Sequence, residues 1–121
     1  MSIHFDKALG LHPDALKLRA ERTRILASNI ANESTPGYQA RDMDFKSALQ
    51  QTRADDASGL ALSTDDPDML YRVPYHPTGD GNTVEIGVEQ AAFSQNVSDF
   101  QASLTFLNMQ LKGLAKAING Q

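Results

Sequence analysis

The 121-residue sequence has no cysteine and no tryptophan. The missing cysteines exclude disulfides and thiolate metal sites and leave the redox compartment open. Apolar residues make up 40% and aromatics 7%, below the roughly 45–50% apolar share of an ordinary globular domain, which argues against a large compact core. Lysine and arginine number 11 against 15 acidic residues, interspersed along the chain, for a net charge of -4. Such a chain presents no cationic stripe for a run of phosphates, so nucleic acid is excluded as a partner. No stretch approaches the ~20 apolar residues of a membrane span, and Met1 to Lys7 lacks the apolar run of about 7–15 residues of a secretory signal. Export from the cytoplasm would need another route. The length allows one domain at most.

What the sequence does contain is heptad periodicity at both ends. Phe93, Val97, Phe100, Leu104, Leu107, Leu111, Leu114 and Ile118 recur at alternating spacings of four and three. With no proline inside and Asn119-Gly120 behind, this pattern predicts a helix from near Val88 to Ile118. Gly113 is its weak position, costing on the order of 1 kcal/mol against alanine unless a neighbour packs closely. A second stripe, Leu16, Ala20, Thr23, Ala27 and Ile30, predicts a helix from about Pro13 to Asn32, with Pro13 and Asp14 suited to its first turn. Its small residues offer little apolar area but permit close backbone approach. After it, Thr35-Pro36-Gly37-Tyr38 has the signature of a type II turn, proline presetting one φ and glycine accepting the positive φ that follows.

Between the stripes, Arg41 to Glu85 shows no sustained period. A short helical turn around Asp44 to Leu49 and a short strand at Met69 to Val73 are expected. The rest is rich in Asp, Ser, Thr, Pro and Gly, with Asp80 between Gly79 and Gly81 in a hairpin-like turn. Ordering the long C-terminal helix costs more backbone entropy than its stripe recovers by burial, so the helix needs a partner. A loop-rich middle and a thin N-terminal stripe leave full burial to contacts between subunits.

Candidate chemistry is sparse. His4, His12 and His76 share no metal-ligand spacing, and the aspartate runs at Asp55-Asp56, at Asp65-Asp66 with Asp68, and at Asp80-Gly81-Asn82 do not match a calcium loop. No nucleophile elbow or phosphate-cradling glycine loop is present. Asp42 and Asp44, beside Arg41, read as a surface ion pair or a helix N-cap. No catalytic, cofactor or metal residue is assigned, and an enzyme is not expected.

One segment is more specific. Leu26-Ala27-Ser28-Asn29-Ile30-Ala31-Asn32, followed by Thr35-Pro36-Gly37-Tyr38, resembles the N-terminal signature of the bacterial flagellar axial family, the rod and hook proteins. Gln39 to Phe45 and Asp80 to Glu85 are similar to the short rod members of that family, whereas Gln50 to Thr78 adds little. The resemblance implies a subunit of the periplasmic rod, exported by the flagellar type III apparatus without a cleavable signal. Its implied partners are copies of itself, other rod proteins, the adaptor protein FliE and the inner-membrane ring. It also gives Asn29 and Asn32 a role beyond that of a solvated residue and a C-terminal cap, as amides bonding neighbouring backbone or subunits. On that view Asn29→Ala impairs assembly or motility more than monomer folding.

The expected architecture is mainly α. Residues 1–38 form an N-terminal helix and turn, 39–85 an irregular middle, and 86–121 a heptad helix paired antiparallel to the first in a coiled-coil-like hairpin. The assembly interface comprises the two stripes with Asn29, Asn32 and the Thr35 to Tyr38 turn. A cytoplasmic coiled-coil adaptor or secretion chaperone would share the heptads without needing that turn, and a small hydrolase has no supporting motif. The isolated chain is expected to be partly disordered at both ends and to order on assembly. Hydrogen–deuterium exchange on the dilute monomer checks this: weak protection from Phe93 to Ile118 is expected, and strong protection there sinks the idea.

Overall fold

The computed structural model describes residue 10, residues 12–58 and residues 69–120. Three helices and a two-stranded sheet follow in the order α1 His12–Ala31, β1 Arg41–Met43, α2 Phe45–Ser58, β2 Met69–Tyr71 and α3 Ile86–Ile118. Both terminal helices fall within two residues of their expected bounds. The long C-terminal helix ends where expected, with the Asn119 backbone N–H returning to Ala115 and a positive φ at Gly120. The chain is mainly helical, α1 and α3 packing against each other and the middle remaining loop-rich.

The helices run antiparallel. His12 stacks on Phe106 with ring centroids 6.2 Å apart, Arg19 pairs with Asp99 at 3.3 Å, and Asn29 meets Glu89 at 2.9 Å. The packed face is not the one the apolar pattern indicates. On α1 the buried residues are Ala15, Ile25, Leu26 and Asn29, while Ala20 and Ala27 of the expected stripe are exposed and Leu16, Thr23 and Ile30 are half-buried. On α3 the two buried residues are polar, Glu89 and Asn96.

This divides the α3 heptad into two lines. Phe93, Phe100, Leu107 and Leu114 stay half-buried, whereas Leu104 is 40% exposed, Leu111 42% and Ile118 70%. Leu111 and Ile118 lie past Phe106, where α1 begins, whereas Leu104 lies alongside α1 and is turned outward by Asn96. Its carboxamide donates to the Arg19 carbonyl and the Thr23 hydroxyl, both at 2.8 Å, so the helix rotates to put an amide, not Leu104, against α1. A polar group that finds its partners only in one alignment fixes register at a cost in apolar burial.

The middle is more ordered than its composition indicates. Asp44 caps α2, accepting from the Lys46 and Ser47 amides at 3.2 and 3.4 Å and from the Ser47 hydroxyl at 2.8 Å. That realises the N-cap reading of Asp44. The helix then runs to Ser58, nine residues past the expected turn. Phe45, Ala48, Leu49 and Thr52 are its half-buried residues, a short i, i+3, i+4, i+7 pattern diluted by glutamine and arginine. The expected strand forms at Met69–Tyr71 and pairs with Arg41–Met43, in the register Arg41 with Tyr71, Asp42 with Leu70 and Met43 with Met69. The Arg72 amide extends the ladder to the Ala40 carbonyl at 2.9 Å. Asp65, Asp66, Asp68 and His4 lie outside the described residues.

Candidate functional site

The two helices are joined by a compact polar knot built on the segment that ends α1. The Tyr38 amide returns to the Thr35 carbonyl at 3.2 Å, and Gly37 has φ +73°, so Thr35 to Tyr38 closes as the expected turn. A second loop, Asp80 to Thr83, clasps it. The Gly37 amide donates to the Asp80 carbonyl at 3.0 Å and the Thr83 amide to the Tyr38 carbonyl at 2.9 Å. The Thr83 hydroxyl accepts from the Ala40 amide at 2.8 Å. Gly81, at φ +78°, brings its side of the loop so close that a Cβ there would lie 3.6 Å from the Gly37 Cα.

Asn82 ends helix α1. Its buried amide nitrogen lies 2.9, 2.7 and 2.9 Å from the carbonyls of Asn32, Glu33 and Thr35, groups a helix end leaves without intrahelical donors. Asn32 takes part in the same closure, its amide nitrogen donating to the Ser28 carbonyl at 2.7 Å and its oxygen accepting from the Thr35 hydroxyl at 3.1 Å. Asn32 is therefore a capping residue, with Asn82 as the larger cap. The sequence places Asn82 in a hairpin-like turn and gives no sign of this role beyond its resemblance to rod proteins.

Asn29 is fully buried, and all four of its hydrogen-bonding positions are used. Its nitrogen donates to the Arg41 carbonyl at 2.6 Å and to Glu89 Oε2 at 2.9 Å. Its oxygen accepts from the Arg41 amide at 3.1 Å and the Tyr38 hydroxyl at 3.4 Å. The carboxamide thus pairs with both backbone groups of Arg41 on the outer edge of β1, as a third strand would. Asn29 bonds neighbouring backbone within its own chain, so Asn29→Ala is expected to cost monomer folding as well as assembly.

Beyond Asn29 runs a chain of charges that sequence reading missed. Arg72 Nε lies 2.6 Å from Glu89 Oε1, too oblique for a hydrogen bond but a close ion pair, and Arg72 Nη2 reaches Asp42 Oδ2 at 3.0 Å. Arg22 completes the chain, gripping Asp42 through two bonds of 2.9 and 3.0 Å. Asp42 is an ion-pair residue, as one reading of Arg41-Asp42 has it, but its partners are Arg22 and Arg72, 20 and 30 positions away. Two cations and two carboxylates balance, which is the condition for keeping such groups largely out of water. Burial pushes the Asp42 carboxyl up, but the Arg22 hydrogen bond, the Met43 amide and the charges of Arg22 and Arg72 outweigh it, so it sits below its ordinary value. The bond to Asp42 likewise raises Arg22.

Among the described residues no group of His, Cys, Asp and Glu is placed to hold a metal ion, and no helix is long and apolar enough to cross a membrane. His12 is engaged with Phe106 and His76 is exposed in a loop. Of the expected interface residues, Asn29, Asn32, Thr35, Gly37 and Tyr38 meet in the knot, while Leu104, Leu111 and Ile118 stand apart on α3.

Part of the knot, from Asn29 to Tyr38, lies within a segment that matches a known family. Residues 12–39 match the family model described as flagella basal body rod protein. The flagellar basal body rod protein FlgB of Aeromonas hydrophila is 44% identical over 131 aligned positions, covering 100% of this chain and 99% of the relative. The chain belongs to the FlgB family of flagellar basal-body rod proteins. FlgB of Salmonella typhimurium is 43% identical with 95% of each chain covered, and FlgB of Cereibacter sphaeroides 42% identical with 97% and 98% covered. The adaptor or chaperone reading finds no support in these relatives. Membership in a structural family agrees with a site made of backbone clamps and paired charges.

Two outcomes follow for this rod-family chain. Replacing Asn29 by alanine strips a buried carboxylate and a strand edge of their partners, so Asn29→Ala is expected to lower monomer stability by about 1–3 kcal/mol. Asn29→Asp, which sets a second carboxylate against Glu89, should lower it further. Urea titration of the purified chain measures both, and an unchanged midpoint contradicts the knot. Because the Asp42 carboxyl has a lower pKa folded than unfolded, it adds stability in full above its unfolded value of about 4. That contribution disappears as pH falls through the lower folded value. The slope of stability against pH between pH 5 and 2 should therefore flatten in Asp42→Asn, and an unaltered slope counts against the pairing.

Proposed function

We propose that this chain is a structural subunit of the flagellar basal-body rod, built into the drive shaft through its terminal helices. The observation that carries this beyond family membership is the overhang of α3. The helix has 33 residues against 20 in α1, about 50 Å against 30 Å at 1.5 Å per residue. The first residue of α1 already meets Phe106. Beyond that point Met109, Leu111 and Ile118 are exposed on the described structure. Apolar side chains along one continuing helix are a surface for other helices.

Two further features support the same reading. The exposed alanines of α1, Ala20 and Ala27, leave a smooth face on which a helix can approach closely. Gly113 has open space where its Cβ would be, so nothing within the chain calls for a glycine that costs about 1 kcal/mol in a helix. Close contact with a neighbouring subunit would. Many such helices interlocked between copies give a stiff tube, which torque transmission requires, while the knot keeps each subunit's helices in fixed register.

The partners in this reading are copies of the chain, other rod proteins, the adaptor protein FliE and the inner-membrane ring. The subunit lies in the periplasmic rod and reaches it through the flagellar type III export apparatus. Its role is mechanical, with no catalysis. Detection of the chain in purified basal bodies tests the assignment, and its absence there overturns it. Ile118→Glu, at an exposed position, should leave the melting temperature of the monomer unchanged and abolish incorporation.

A further inference from the structure

Among the described residues, one edge of the sheet is left open. On β1 the outward backbone groups of Arg41 are taken by Asn29. On β2 the alternation is set by the Arg72 amide bonding the Ala40 carbonyl, so the N–H and C=O of Tyr71 point away from β1. Among the described residues these groups, and those of Val73, have no hydrogen-bond partner. The same stretch carries large apolar side chains in the open: Tyr71 is 59% exposed, Val73 82% and Tyr75 79%. Free strand edges are normally blunted by lysine, proline or a covering element. Here only Pro74 interrupts the run, and the exposed apolar surface continues on both sides of it.

On the opposite side of the sheet, at the outer edge of β1, lies a cleft of about 240 Å³ lined by Arg24, Ile25, Ser28, Asn29, Tyr38 and Arg41. Arg41 joins the two features, since it lines the cleft and its guanidinium lies 5.4 Å from the Tyr71 ring. Arg24 is already paired with Glu21 at 2.6 Å. The Arg41 guanidinium has no carboxylate partner among the described residues, although the chain as a whole carries a net charge of -4. A free cation over an aromatic ring, next to unpaired strand groups, selects for an extended backbone that brings a carboxylate with it.

We propose that the free edge of β2, with the Arg41 guanidinium over its Tyr71 ring, docks an extended, acidic segment of a different axial protein. The segment adds as a strand beside Tyr71 and Val73 and places a carboxylate on Arg41. A second copy's β2 does not fit the site. Pairing two such edges across a two-fold axis puts two unpaired Arg41 side chains on one small sheet, and it closes a dimer that cannot propagate along a polar tube. The inference rests on the rod reading only in naming the partner as an axial component.

The sequence has no cysteine, so Val73→Cys gives a single attachment point for a short photo-activated cross-linker in isolated basal bodies. The expected product joins this chain to an acidic segment of a different axial protein, and Arg41→Glu should lower its yield about tenfold, as loss of a central interface contact does. Melting curves of both variants should match the wild type. If Arg41→Glu melts early, Val73→Lys at the most exposed position reports the same loss of incorporation. A product of two copies of this chain overturns the proposal, as does no product from basal bodies that contain the subunit. Basal bodies lacking the wild-type chain overturn the rod reading, a distinguishable result.

Discussion

The carboxamide of Asn29 is where the elements of this fold meet. It holds the backbone of β1, it receives the turn through Tyr38, and it neutralises one oxygen of a carboxylate from the first turn of α3. That carboxylate, Glu89, is fully buried. A charge in that position needs an opposite charge close by; Arg72 supplies it, and is joined in turn to Asp42 and Arg22. The long helices therefore cannot shift along each other without breaking the contacts of the small sheet, and the sheet cannot leave without stranding Glu89. With few fully buried apolar side chains in the described structure, order in the centre is set by paired polar and charged groups whose geometry favours one arrangement.

The same economy explains the surfaces. Asn96 and Glu89 occupy inner positions of α3, so Leu104, which a private hairpin would bury, is turned outward. Buried polar groups are a poor source of stability and a good source of alignment. A subunit that must present its apolar side chains to neighbours, in register, benefits from that exchange. Membership in the FlgB family gives this arrangement its setting: a knot fixes each subunit's own geometry, and on the proposed rod reading the exposed helix faces serve the assembly.

Much of this was legible in the residues. The two terminal helices, the turn at Thr35 to Tyr38, the stop at Asn119-Gly120 and the cap at Asp44 follow from local rules, because each depends on groups a few positions apart. The shared segment around Asn29 carried the family. The length of α2 was not legible, since its four half-buried positions are spaced correctly but separated by glutamines and charges that weaken the pattern. Nor was Asn82 recognisable as the cap of a helix 50 positions earlier.

The sequence by itself determined where the two terminal helices start and stop, that the turn at Thr35 to Tyr38 closes, and that apolar stripes recur at both ends. Only the tertiary structure decided which face of each helix turns inward. That choice depends on bonds such as Asn96 to Arg19 and Arg72 to Glu89, between groups 77 and 17 positions apart. A heptad pattern counts apolar residues and is blind to an amide or carboxylate whose partners lie on another element. Burial of such groups is decided by whether those partners arrive, and that is a property of the folded arrangement.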